Sequence, residues 1–150
     1  MKKRIISEIR IKAKARVILE SLLKLEHLKQ WWGVDSCFIQ AKDNGLYCLT
    51  WLKSVDGIKF ISTGRIGLYN PRSHLHLEDM LYINSEKPIL GPFTIRFDVE
   101  EAENYSTLRV VQNGFIKEGG ELWDWYYKAV SDGWPEALVI LKKYLENRGI

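Results

Sequence analysis

The chain has 150 residues, a length typical of one domain with its own core, so we expect a single domain over 1–150. Its composition is ordinary for a globular protein, and its net charge of +3 is too small to argue for nucleic acid or a membrane surface. No apolar run approaches the ~18–20 residues that cross a bilayer, and the basic start of the chain leads into Glu8 and Arg10 rather than into a signal-peptide core. We therefore expect a cytoplasmic protein without a membrane span.

The first part of the chain predicts one strand followed by helix. Residues 4–13 alternate between apolar and polar side chains, as a half-buried strand does. Residues 15–32 carry apolar side chains at helical spacing, which predicts one helix or two short ones. From residue 36 onward the apolar period changes to two, which indicates strands.

Three turn signals divide the middle of the chain into hairpins. They are Asn44-Gly45, Asp56-Gly57 and the segment 70–73. A loop rich in proline and glycine follows, and a last pair of strands comes after it. The strands are expected at roughly 36–42, 46–53, 58–69, 74–83, 93–100 and 105–116.

These turns also predict which side chains share a face, because pairing across a hairpin preserves facing. A turn at Asp56-Gly57 places Trp51 opposite Ser62, and the last hairpin pairs Phe93 with Gln112. All the alignments agree on one apolar face, while charged side chains occupy the other. The predicted apolar side chains are Tyr47, Leu49, Trp51, Phe60, Ile66, Leu68, Leu75, Leu77, Leu81, Phe93, Ile95, Phe97, Leu108 and Val110.

The chain closes with an aromatic amphipathic helix over residues 120–147. Apolar side chains recur there at spacings of three and four, so one broad stripe must pack against an apolar surface. Gly133-Trp134-Pro135 interrupts the pattern, because Pro135 cannot donate a helical hydrogen bond. Either the helix bends there, or a short helix ends near Asp132 and a second one begins at Pro135.

Several segments resemble one family of known proteins. They are LKQWW (28–32), GRIGLYNP (64–71), TLRVVQNGF (107–115), GWPEAL (133–138) and KYLE (143–146). In this order they resemble the START-like (SRPBCC) helix-grip superfamily. More closely, they resemble its bacterial branch named after the activator of the ninety-kilodalton heat-shock-protein ATPase.

The resemblance implies an α+β helix-grip fold. Its curved antiparallel sheet of about six to seven strands wraps around a long C-terminal helix, with one or two short helices after the first strand. Between sheet and helix it implies a cavity that accepts an apolar small molecule. Relatives often carry a histidine where this chain has Gln112 and a bulky aromatic near Asp79, so chemistry that depends on those positions does not transfer.

We expect twelve residues to bind the ligand. They are Trp32, Tyr47, Trp51, Phe60, Ser62, Asp79, Phe93, Phe97, Gln112, Trp123, Tyr126 and Trp134. Aromatic and apolar walls with few polar anchors are typical of such pockets. Gln112 and Ser62 can orient a polar group of the ligand, or they can lie near the open end of the sheet and touch water.

Asp79 is the anomaly, because the register places its carboxylate among apolar side chains, where an unpaired charge is costly. It is either a general base or anchor in the cavity, or a β-bulge turns it outward, or a partner such as Ser62 or Tyr47 satisfies it. On the opposite face His74, His76 and Glu78 have a spacing that can present metal ligands, but such residues more often lie on a solvated face with no specific role. We predict no metal and no cofactor.

Three functions fit these observations. The favoured one is a binding module that holds an apolar or aromatic small molecule, as a monomer or weak homodimer that binds no nucleic acid. The family name implies an alternative, a co-chaperone or other protein-interaction module with a protein partner. A further alternative is a cyclase- or hydrolase-like enzyme that uses Asp79 for proton transfer. The sequence favours a binding protein over an enzyme.

Overall fold

The computed structural model describes residues 2–148, which form one seven-stranded antiparallel sheet and three helices. The strand order is β1-β7-β6-β5-β4-β3-β2. The elements are β1 (Lys2–Ile11), α1 (Ala15–Glu20), α2 (Leu25–Trp32), β2 (Ser36–Ile39), β3 (Leu46–Ser54), β4 (Gly57–Asn70), β5 (His74–Asn84), β6 (Leu90–Glu101), β7 (Ser106–Ile116) and α3 (Glu121–Asn147). This arrangement confirms the α+β helix-grip fold. The predicted domain, 1–150, also includes Met1, Gly149 and Ile150, which lie outside the described residues.

The core lies between the inner face of the sheet and α3. In the C-terminal half of α3, Leu138, Leu141 and Leu145 are buried, as the apolar stripe predicts. The short helices α1 and α2 close one end of this core, where the indole N–H of Trp31 donates to the Ser21 carbonyl at 2.9 Å. The cavity described below lies instead against the N-terminal half of α3.

Helix α3 is continuous from Glu121 to Asn147, which confirms the long C-terminal helix and excludes the alternative of two separate helices. Pro135 lies inside the helix and leaves the Ser131 carbonyl without its helical donor. Because a proline removes one bond among many, packing of the buried leucines that follow it holds the helix together.

Two predicted hairpin registers differ from the structure by two residues. Trp51 pairs with Phe60 rather than with Ser62, because the closing pair of the hairpin is Ser54 and Gly57 and its loop is short. In the last hairpin, Gln112 pairs with Ile95. The side-chain period of a strand is two, so a shift by two leaves every side chain on its predicted face. The apolar face therefore survives the error.

A β-bulge at Asp79 breaks that agreement in β5. The register shifts between Leu77 and Met80, and Asp79 has a φ of 54°. Its carboxylate points outward and accepts a hydrogen bond from Arg65 Nε at 2.7 Å, while Met80 takes the inner position and is 2% exposed. The prediction that Asp79 faces the apolar side is therefore wrong. The alternative, a β-bulge that turns Asp79 outward, is the one that the structure has.

A second irregularity, at Gly67 in β4, moves Leu68. Ile66 pairs with Leu77 as predicted, but Tyr69 then pairs with Leu75. Leu68 is consequently 52% exposed, although the sequence pattern placed it on the apolar face. A Cβ at Gly67 would lie 2.6 Å from the Glu78 carboxyl carbon, so a larger residue there would have to displace the end of that exposed side chain.

Candidate ligand-binding cavity

A cavity of about 310 Å³ lies between the inner face of the sheet and the N-terminal half of α3. Its volume is at the lower end of the range that small-molecule sites occupy. Its walls come from α2, five strands and α3. They are Trp32, Trp51, Phe60, Ser62, Met80, Leu81, Tyr82, Phe93, Ile95, Gln112, Tyr126, Ala129, Val130, Gly133, Trp134 and Ala137.

Eight of the twelve candidate residues line this cavity. They are Trp32, Trp51, Phe60, Ser62, Phe93, Gln112, Tyr126 and Trp134. The five strand residues stay on the inner face because the hairpin registers shifted by two, and α2 and α3 supply the other three. Ligand contact by any of them stays a prediction.

The other four candidates lie outside the cavity wall. Tyr47 is fully buried and its hydroxyl donates to the Leu22 carbonyl at 2.7 Å, so it fastens the helices to β3. Phe97 packs behind the wall, edge-on against Trp134 with 5.6 Å between ring centroids. Trp123 similarly packs against Phe93 at 5.8 Å. Asp79 lies on the outer face, as described above.

The sequence-based prediction also missed eight lining residues. Met80 and Tyr82 were hidden by the bulge at Asp79, which reverses the facing of the residues after it. The other residues not included among the candidates are Leu81, Ile95, Ala129, Val130, Gly133 and Ala137. A detectable signal for α3 was its run of small residues, alanine or glycine, at every fourth position from 129 to 137.

Gln112 is the central polar side chain of the cavity and is 3% exposed. Its Oε1 accepts a hydrogen bond from the Trp134 indole N–H at 2.9 Å. Because an indole nitrogen only donates, the oxygen must face Trp134, and the amide nitrogen faces away from it. A side-chain hydrogen bond with Gln112 lowers the pKa of the Tyr126 phenol, and the amide nitrogen is the end of Gln112 left to donate it.

Tyr126 nevertheless stays a neutral phenol. Burial raises its pKa well above the ordinary value, the neighbouring Tyr82 raises it further, and the bond from Gln112 opposes them only in part. A neutral hydroxyl that accepts from Gln112 still has its own hydrogen to donate. Tyr126 therefore presents a hydrogen-bond donor at an apolar wall.

Aromatic rings make up much of the remaining wall. Tyr82 stacks on Tyr126 with 4.6 Å between centroids, and Phe60 stacks on Tyr82 at 6.0 Å. Trp51 meets Trp32 edge to face at 5.4 Å, and its indole N–H donates to the Trp32 carbonyl at 3.1 Å. These contacts fix the rings, so the cavity offers flat apolar surfaces in defined orientations.

The histidines of the outer face are hydrogen-bonded to neighbouring side chains. His76 Nε2 lies 2.8 Å from the Asp98 carboxylate, and His74 Nδ1 lies 2.9 Å from the Ser73 hydroxyl. Within residues 2–148, no cluster of three or more histidine, cysteine or acidic side chains is arranged to hold a metal ion.

Across the same residues, no helix combines the length and apolarity needed to cross a membrane.

The family of the chain follows from its sequence together with this fold. Residues 12–146 match the family described as Activator of Hsp90 ATPase homolog 1-like protein. The chain belongs to this family. The START-like, helix-grip resemblance drawn from its sequence segments is thereby confirmed. No curated protein sequence matches the chain.

Solved structures with the same fold cover nearly the whole chain. The Aha1 dimer from Colwellia psychrerythraea is 17% identical, with a TM-score of 0.70 and 96% of each chain covered. The protein MLL2253 from Mesorhizobium loti is 13% identical, with a TM-score of 0.74, and the match covers 97% of this chain and 98% of that one. Ara h 8.0201 is 11% identical, with a TM-score of 0.71 and coverage of 98% and 99%. At these identities the likeness shows the fold alone.

Proposed function

We propose that this protein is a cytoplasmic binding module that holds an uncharged aromatic small molecule in the cavity between its sheet and α3. The observation that carries the proposal is the composition of the wall. Among the described residues, the side chains that line the cavity include rings and aliphatic groups but no charged group. The family fold supports ligand binding in general, and the chemistry of the wall narrows the class of ligand.

The wall favours a neutral ligand with a hydrogen-bond acceptor. A charged group would lose its hydration without gaining a partner, which is costly in an apolar site. Tyr126 can donate its hydroxyl hydrogen, and Gln112 holds that hydroxyl in place. A carbonyl or ether oxygen on a planar ring system would satisfy this donor while the rings stack on the aromatic walls.

The enzyme alternative loses its proposed proton-transfer group. Asp79 lies on the outer face, bound to Arg65, and cannot reach the cavity. Tyr126 is a poor base at neutral pH, because a phenol with a raised pKa does not ionise there. Binding without catalysis is the function that the geometry supports better.

The co-chaperone alternative and the monomer or weak homodimer stay predictions. The Colwellia psychrerythraea relative is a dimer in its structure, so the oligomeric state of this chain should be measured alongside ligand binding.

The test compares two probes of similar size and different polarity. 2-Acetylnaphthalene has a carbonyl oxygen, whereas 2-ethylnaphthalene does not. Loss of one neutral hydrogen bond, roughly 0.5–1.5 kcal/mol, weakens binding by about 2- to 13-fold. We expect Tyr126→Phe to weaken 2-acetylnaphthalene by that factor and to leave 2-ethylnaphthalene unchanged, as measured by quenching of tryptophan fluorescence and by calorimetry.

Tyr127→Phe is the matched control. Tyr127 is the next residue of the same helix, but its ring packs against Phe115, 5.3 Å away, and is not part of the cavity wall. This variant should bind both probes as the wild type does. If the folded wild-type protein bound neither probe, the carrier proposal would lose its basis.

A further inference from the structure

Gly133 lies in the middle of α3 and lines the cavity, although nothing in the backbone requires a glycine there. Its helix is continuous, and it is not among the glycines with positive φ. Alanine is a better helix former than glycine at an interior position, so glycine here weakens α3. A different requirement must explain this residue.

The space around Gly133 supplies that requirement. A Cβ built on Gly133 meets no heavy atom within 4 Å, so a side chain there would project into open space. At Gly64, by contrast, a Cβ would lie 2.5 Å from the Met80 sulfur, and at Gly114 it would lie 2.7 Å from the Pro92 carbonyl oxygen. Those two glycines allow close packing, whereas Gly133 leaves volume empty.

Two alanines extend this open strip along the helix. Ala129 and Ala137 lie one turn before and one turn after Gly133, and all three line the cavity. Tyr126 and Trp134, which both bond to Gln112, stand beside the strip. A ligand that accepts a hydrogen bond from Tyr126 would therefore lay its ring system over Gly133.

We propose that Gly133 determines the size of the ligand, because the missing side chain is the space that the ligand's rings occupy. This inference rests on the proposed function and adds a residue that selects among ligands of the same chemistry. A larger residue at 133 would shorten the strip and exclude the longer ring systems first.

The test uses two neutral ketones that differ only in length, 2-acetylnaphthalene with two fused rings and 2-acetylanthracene with three. For Gly133→Leu we expect at least a tenfold greater loss of affinity for the longer ketone than for the shorter one. Glu136→Leu adds the same side chain at an exposed position of the same helix and should bind both ketones as the wild type does. Circular dichroism confirms that each variant keeps its helix.

Gly133→Ala provides a second readout that needs no ligand. Because the Cβ enters open space and alanine favours the helix, the melting temperature should rise. A lower melting temperature would show that the space is not open and would overturn the inference. The Gly133→Ala measurement also tests the inference if Gly133→Leu does not fold.

Failure of this inference can be told apart from failure of the proposed function. A wild type that binds neither ketone removes both. A wild type that binds both ketones, with a Gly133→Leu variant of unchanged size preference, overturns only the role of Gly133. A third outcome would also overturn the role of Gly133. If Gly133→Leu kept its affinities for both ketones and Gly133→Ala bound them with a slower association rate, the glycine would serve helix motion instead.

Discussion

The bond between Gln112 and Trp134 should stabilise the fold as well as order the cavity. Both side chains are buried, at 3% and 7% exposure, and the bond is 2.9 Å long. Gln112→Met keeps a similar length but removes the amide that also bonds to Tyr126, and it leaves the indole N–H without a partner. An unsatisfied buried donor costs about 1–3 kcal/mol, and we expect the free energy of unfolding to fall by that amount.

A double-mutant cycle isolates this bond from the packing around it. Trp134→Phe removes the donor, and it also loses ring contacts with Phe97 and Trp32. With both changes present, neither polar group is left unpaired, so the two costs should not add. We expect a coupling energy of about 0.5–1.5 kcal/mol from urea unfolding followed by far-ultraviolet circular dichroism. Additivity to within ~0.3 kcal/mol would refute the buried bond.

Three further predictions concern the fold and its surface charges. Leu141→Ala should lower the free energy of unfolding by about 2–5 kcal/mol, whereas Ile140→Ala, at a 50% exposed position, should cost less than ~1 kcal/mol in the same urea experiment. Asp79→Asn should cost only about 0–1 kcal/mol and leave probe binding unchanged, because its ion pair is exposed. Bonds from the Lys12 backbone N–H and the Lys142 ammonium lower the pKa of Glu146. The resulting stabilisation is fully present above the unfolded pKa of about 4.3 and is lost as the pH falls through the lower folded pKa. The melting temperatures of the wild type and Glu146→Gln should therefore converge in acid.

Each of these three predictions would be contradicted by a specific result. Equal losses for Leu141→Ala and Ile140→Ala would mean that α3 does not pack on the sheet by its leucine stripe. A loss of probe affinity in Asp79→Asn would place that carboxylate near the ligand after all. A melting-temperature difference for Glu146→Gln that grows as the pH falls would contradict the sign of its pKa change.

The sequence predicts the fold well because its strongest patterns are repetitive. The leucine stripe of α3 and the period of two in the strands each rest on many residues, so one irregular position does not change the outcome. Errors in hairpin register did little harm for the same reason, since both were shifts of two residues. The cavity wall could therefore be predicted for Trp51, Phe93 and Gln112, which lie in regular strand segments.

Prediction failed where one residue changes the facing of those after it. Period-two reasoning assumes that every residue advances the pleat, and a bulge adds a residue without doing so. Met80 and Tyr82, which line the cavity, were consequently not among the candidates. Trp123 and Phe97 failed for another reason, because a pattern on one face cannot separate side chains that line a cavity from those that pack just behind it.

The bulge at Asp79 also decides the electrostatics of the cavity. Without it, the carboxylate would stand where Met80 now stands, and the wall would hold an acidic group that needed a partner or a proton. Aspartate is among the residues that adopt a positive φ most readily, so the chain can form the bulge at Asp79 with little strain. Arg65 then holds the carboxylate outside. One irregular backbone position thus converts a strand that carries an acid into a wall that suits an uncharged ligand.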